Sequence, residues 1–188
     1  MDPLEIIAIV FTVICVLLTI KQNIWCWLTG IVSIIAFSLL YFEGKLYSLL
    51  AIQSIFLIQS IYGWWNWGKG VKDKELPVTS VGFRILLHLG LTVVACGVFA
   101  TYLDSYTDSS MPILDSLGAG VSLLANYYLT RKKLEAWPLW MLVNAILAGL
   151  FIHQEVYGLA LLEFGLLVMS IKGFFEWNKN LNISRLSA

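Results

Sequence analysis

Seven stretches of the chain are long and apolar enough to be transmembrane helices, and they leave little sequence for anything else. A bilayer core of about 30 Å needs roughly 20 apolar residues per helix. Candidates fall at about 4–20, 24–42, 46–67, 83–103, 111–130, 137–153 and 156–177. The second and third are parted by Glu43-Gly44-Lys45, the sixth and seventh by His153-Gln154-Glu155. Only 13% of residues are charged and 59% are apolar, against roughly 25% and 45–50% in soluble domains. Too few charges remain to cover a surface in water. The zero net charge also argues against nucleic acid as a partner, since phosphate binding needs a clustered basic excess. The chain reads as an all-α polytopic protein whose solvent is the lipid bilayer.

Orientation follows from the basic residues, which concentrate on the cytoplasmic side of membranes. With seven spans, one side holds the N-terminus and the turns at 43–45, 104–110 and 153–155, and of all Lys and Arg only Lys45 lies there. Lys21, Lys69, Lys72, Lys74, Arg84, Arg131, Lys132, Lys133, Lys172, Lys179 and Arg185 lie on the other. The N-terminus is therefore expected outside and the C-terminus in the cytoplasm. The first span carries Asp2 and Glu5 in place of a basic n-region, with no small-residue cleavage site after it, so it reads as a span and not a signal peptide.

A shift of 110 residues aligns 17–69 on 127–179 without a gap. Tyr47/Tyr157, Ser60/Ser170, Gly63/Gly173, Trp67/Trp177, Lys69/Lys179 and, upstream, Trp27/Trp137 coincide at that single offset. Spans one to three thus repeat as spans five to seven. Four helices separate the partners, an even number, so both copies face the same way and the fourth span restores orientation. The expected organisation is a first three-helix repeat at 1–69, a loop and linker helix at 70–110, a second repeat at 111–179 and a tail at 180–188. Parallel repeats of this kind hold substrate between the halves near the membrane midplane. Duplication could equally build a membrane scaffold or receptor, the competing class.

Polar side chains inside hydrocarbon usually face a cavity or a partner. Gln53, Phe56, Ser60, Trp64 and Trp67 recur at three- and four-residue steps, so they share one helix face. Their mates are Glu163, Leu166, Ser170, Phe174 and Trp177. Two such stripes would line a central pathway, with Gln59 turned toward a different contact. Glu163 reads as a counter-charge for a cation or a proton carrier, or else as a carboxyl bonded to another helix. Asn126, Ser122 one turn before it, and Asn144 read as pathway groups or as helix–helix bonds. Trp25, Trp27, Trp137 and Trp140 lie where interfacial belts place Trp, whereas the dense Trp64-Trp65-Trp67 run offers faces for a flat cation.

Enzyme readings fail. His88 and His153 fall at opposite ends of their spans, about a membrane thickness apart, and Cys15, Cys26 and Cys96 are widely spaced, so neither a metal site nor a disulfide framework forms. No phosphate loop, serine elbow or zinc-protease motif occurs. No cofactor and no metal is expected. The Asn182-Ile183-Ser184 sequon falls on the cytoplasmic side and has no glycosylation role.

The stretches KQNIWCW (21–27), LYSLLAIQ (46–53), IYGWWNW (61–67), DSLGAGVSLLANYYLTRKKLEAW (115–137), WPLWMLVN (137–144) and the VYG…G…EW pattern of 156–177 resemble the PnuC family of bacterial vitamin transporters. They cover nearly all the chain outside 70–110. The resemblance implies a fold like that of full-length SWEET sugar transporters in the bacterial inner membrane, and facilitated diffusion of a vitamin trapped by a cytoplasmic kinase. It also implies a homotrimer. It places the family's polar positions at Gln53 and Ser60, its aromatic cluster at Tyr62, Trp64 and Trp67, and its midmembrane amide at Asn144, with Trp140 one turn before. Ser60 departs from the Asn expected of a nicotinamide riboside transporter, and Asn126 and Glu163 have no clear counterpart.

Nicotinamide riboside carries a pyridinium ring and thiamine a thiazolium, so an acid beside aromatic faces suits either and suits neutral riboflavin less. Ribose hydroxyls and a carboxamide would use Gln53 and Asn144. A carboxyl group could instead pair with the aminopyrimidine of thiamine. The vitamin expected is nicotinamide riboside, with thiamine as the alternative.

Overall fold

In a computed structural model, residues 2–45, 47–69, 76–106 and 112–186 are described. Lys72, Lys74 and residues 107–110 of the predicted turn lie outside them. The described chain forms α1 (Pro3–Ile20), α2 (Trp25–Glu43), α3 (Tyr47–Gly68), α4 (Arg84–Tyr106), α5 (Pro112–Thr130), α6 (Ala136–His153) and α7 (Tyr157–Leu186). Five of the seven, all but α3 and α5, are long and apolar enough to cross a membrane. Those two are diluted by the polar residues that sequence reasoning singled out, Gln53, Gln59 and Ser60 on one and Ser122 and Asn126 on the other. Helix α7 runs to Leu186, beyond the 177 expected from hydropathy. Its 30 residues span about 45 Å at 1.5 Å each, so its last turns emerge from the hydrocarbon, with no Pro or Gly to stop them.

Local chemistry starts and stops these helices. The Asp2 carboxylate accepts from the Leu4 amide at 2.8 Å, with Pro3 at the first helical position, a common N-terminal cap. Helix α1 ends with Gln22 at φ 55°, the Gln22 amide donating to Thr19 O and the Asn23 amide to Leu18 O. Helix α5 ends identically 110 residues later: Lys132 has φ 47°, and Lys132 and Lys133 donate to Leu129 O and Tyr128 O. Lys45 (φ 57°) and Glu155 (φ 61°) repeat the correspondence after α2 and α6. A left-handed backbone costs a non-glycine residue about 1–2 kcal/mol, and the amides that satisfy the helix's last carbonyls offset it.

The helices form a closed ring in the order α1, α2, α3, α5, α6, α7 and back to α1, while α4 touches only α5 among the described residues. Successive helices run antiparallel, as shown by Cys15 opposite Gly30 and Trp137 opposite Gly173. Helices α3 and α5 run parallel, since Gln59 bonds Leu123 O and Asn66 bonds Thr130 O. Thus α1–α3 and α5–α7 share one sense. Apolar residues such as Leu87, Val94, Ile58 and Leu161 are exposed on the outside, the surface hydrocarbon would cover.

The ring closes at one end, the basic end that carries Lys21, Lys69 and Arg131. Trp27 and Trp67 meet edge-on at 5.3 Å and 86°, and Trp137 and Trp177 at 5.4 Å and 88°. Each such pair adds about 0.5–1.5 kcal/mol beyond area burial. Trp67 Nε1 donates to Leu129 O, and Trp177 Nε1 donates to Thr19 O and Ile20 O. Each indole thus caps the last turn of a helix from the other three-helix group, and Trp67 and Trp177 touch at 6.0 Å.

At the same end the segment before α4 is tied to the α5–α6 turn. Thr79 N–H donates to Lys132 O, Leu134 N–H to Thr79 O and Lys133 Nζ to Thr79 Oγ1. Glu135 Oε1 accepts from the Ser80 hydroxyl and from the Val81 and Gly82 amides. Partial burial alone would raise this carboxyl, but those donors outweigh it and hold it below the ordinary 4.5. Because the folded value is depressed, its stabilisation is present above the unfolded value and lost as pH falls through the folded one. The stability difference between the parent and Glu135→Gln should therefore be full at pH 7 and shrink below about pH 4.5, checked by thermal unfolding across pH. A constant difference would contradict it.

Candidate functional site

Above the tryptophan floor the ring encloses a cavity of about 220 Å³. Its border is symmetric in sequence. Val16 and Asn126, Thr19 and Leu129, Trp27 and Trp137, Gly30 and Trp140, Ile34 and Asn144, Phe56 and Leu166, and Ser60 and Ser170 all face it, each pair 110 residues apart. Thr12, Cys15, Ser33, Phe37 and Gln53 complete the border, all from α1–α3.

Of the residues singled out in the sequence, Gln53, Phe56, Ser60, Asn126, Trp140, Asn144 and Ser170 come together here. Buried Asn144 donates through Nδ2 to Ser170 Oγ at 3.2 Å, and Ser170 donates to Leu166 O at 2.8 Å. Asn126 Nδ2 donates to Gln59 Oε1 at 2.8 Å, and Gln59 Nε2 to Leu123 O. Gln59 therefore stands behind the wall and holds Asn126, the separate contact its helical angle implied. Among the described residues, the indole N–H groups of Trp27, Trp137 and Trp140 are buried without a protein acceptor, although all three residues border the cavity. Unpaired buried donors are costly.

The remaining singled-out residues lie elsewhere. Ser122 is buried and donates to Ala119 O within its own helix. Trp64 packs on Trp25 at 6.3 Å and Tyr62 on Trp65 at 6.1 Å. Trp67 lies in the floor, where Lys132 Nζ stands 4.5 Å from its ring, while Lys69 Nζ stands 3.3 Å from that of Trp65. Those ring faces meet the chain's own lysines, not the cavity. Glu163 does not border the cavity either. It is half-buried.

Sequence reasoning passed over Thr12, Cys15, Gly30, Ser33 and Phe37. The 110-residue shift offered a signal, since α5 and α6 carry Asn126 and Asn144 and their mates on α1 and α2, Val16 and Ile34, face the same space.

Residues 2–179 match the family described as nicotinamide mononucleotide transporter. The chain belongs to that family. It is 23% identical to the nicotinamide riboside transporter PnuC of Escherichia coli, over 93% of this chain and 84% of that one. It is 24% identical to PnuC of Neisseria mucosa, over 92% and 71%. It is also 23% identical to the riboflavin/roseoflavin transporter RibM of Streptomyces davaonensis, over 76% and 68%. The crystal structure of the vitamin B3 transporter PnuC superposes with a TM-score of 0.79 at 23% identity, covering 95% of this chain and 82% of that one, which establishes the shared fold. The PnuC resemblance is borne out. As a member of this family the chain is a multi-pass transporter of the bacterial inner membrane, not an enzyme.

Proposed function

We propose that the chain carries nicotinamide riboside across the membrane by facilitated diffusion through the central cavity. The observation that carries this reading is a cavity walled by matched positions of two three-helix groups and floored by their interlocked indoles. The two groups are parallel repeats joined by α4 as linker, a plan supported by the equal turns, equal ring pairs and exchanged caps at one offset. The basic end is cytoplasmic, by the excess of Lys and Arg there, so the cavity opens outward or inward as the halves rock about a fixed site. No carboxylate and no basic side chain borders it among the described residues, which favours uncoupled transport over proton or sodium symport. A cytoplasmic kinase then keeps the vitamin inside, and the transporter assembles as a homotrimer, as the family resemblance implies.

Phe37, Phe56 and Trp140 offer ring faces to a flat pyridinium, and Gln53, Asn126 and Asn144 offer amides to its polar groups. Both PnuC relatives carry nicotinamide riboside by name, and RibM carries riboflavin. Saturable uptake of labelled nicotinamide riboside into proteoliposomes, unchanged when proton and sodium gradients collapse, is expected. Preferential competition by thiamine or riboflavin would reassign the substrate, and absence of any vitamin flux would favour a scaffold or receptor.

Glu163, the mate of Gln53 at the 110-residue offset, supplies the counter-charge on the outer approach. Glu163→Gln should weaken uptake of the cationic vitamin several-fold, by about 1 kcal/mol for an ion pair partly screened by water. Unchanged KM would remove Glu163 from the pathway.

A further inference from the structure

Thr12 on α1 and Ser33 on α2 form a hydroxyl pair on the cavity border. Their oxygens are 2.7 Å apart, and each lies 2.9 Å from the carbonyl oxygen of Ala8. These three contacts share two hydroxyl protons. However the protons are distributed, both have an acceptor inside the cluster. The pair therefore turns lone pairs, and no spare donor, toward the cavity.

The second half has nothing equivalent. Ser122, the mate of Thr12, is bonded within its own helix, and Val143, the mate of Ser33, is fully buried. Neither borders the cavity. Amide oxygens of Asn126 and Asn144 border the cavity as well, but a paired-hydroxyl acceptor of this kind lies only on the α1–α2 side among the described residues.

Resting on the nicotinamide riboside reading, we propose that Thr12 and Ser33 are a specificity-determining subsite that accepts a hydrogen bond from an O–H or N–H group of the transported molecule. Two donors of a pyridinium nucleoside meet that description, a ribose hydroxyl and the carboxamide NH2. The pair ranks ligands by whether they bring such a group, because an acceptor buried against a ligand without a donor loses its bond to water.

The test is calorimetric binding to the detergent-purified chain of nicotinamide riboside, its 2′- and 3′-deoxy analogues and nicotinic acid riboside. Parent, Thr12→Val, Thr12→Ser and Ser33→Ala are compared. Thr12→Val keeps the side-chain volume and Thr12→Ser keeps the hydroxyl, so melting temperatures near the parent's separate binding from folding. Thr12→Val and Ser33→Ala should each weaken nicotinamide riboside about 3–10-fold, with Thr12→Ser near the parent. The ligand lacking the relevant donor should bind the parent and these two variants alike. A deoxy analogue in that role identifies a hydroxyl, and nicotinic acid riboside identifies the amide. Equal weakening of every ligand, or of none, overturns the subsite while leaving the transported vitamin in place. No binding of nicotinamide riboside by the parent overturns that reading and the subsite with it.

Discussion

Gly63→Ala and Gly173→Ala are each expected to destabilise the purified protein by about 1–3 kcal/mol or more, and by similar amounts. A Cβ at Gly63 would overlap the Trp27 ring, and one at Gly173 the Trp137 ring. Retreat of either indole would break its edge-on contact, Trp27 with Trp67 and Trp137 with Trp177. Trp137 and Trp177 are essentially without exposed surface, and overpacking in a dense interior is relieved only by moving backbone or leaving good rotamers. Thermal unfolding of both variants in detergent checks the size, and their ratio checks the equivalence of the two floors. A melting temperature within a degree of the parent for either would mean that the ring pairs yield more freely than this packing allows.

Asn144→Leu should abolish most transport while leaving the protein folded. The leucine repeats the branching of asparagine and has the adjoining cavity to occupy, and its loss of the Nδ2 bond strands nothing, since the Ser170 hydroxyl keeps its own acceptor at Leu166 O. What disappears is an amide on the cavity border, buried to 2% exposure. A buried polar contact with substrate, once unmatched, costs more than the same bond in water, so uptake at subsaturating vitamin should fall roughly tenfold or more. Parallel melting curves and uptake assays decide it. Uptake near the parent's would place Asn144 among the groups that merely join α6 to α7.

The seven helices were legible because apolar runs and short polar turns act locally, but the end of α7 was not, since hydropathy marks where hydrocarbon stops and the helix runs on to Leu186. The 110-residue offset stands out in the sequence through Trp, Gly and Lys, which apolar composition does not reproduce by chance. Depth was harder. Periodicity put Gln53, Phe56, Ser60, Trp64 and Trp67 on one stripe, but a stripe has length: Ser60 and Trp67 are seven residues, or about 10 Å, apart along the helix. The upper part faces the cavity and the lower part forms its floor. Thr12 and Ser33 were invisible for another reason. Buried hydroxyls usually bond their own helix's carbonyls, and only the meeting of α1 with α2 at Ala8 distinguishes this pair.

Lys132 Nζ lies 3.3 Å from Gln22 Oε1, and the two residues are one position counted 110 apart. In an assembly of two separate identical subunits that spot would bring like against like, and two lysines there would repel. On the proposed repeat, joining two copies in a single polypeptide would free each matched site to diverge from its twin. Gln22 against Lys132, Val16 against Asn126 and Ile34 against Asn144 are the outcome, a chamber with a left and a right hand. A passenger with chemically distinct ends must then enter one way round.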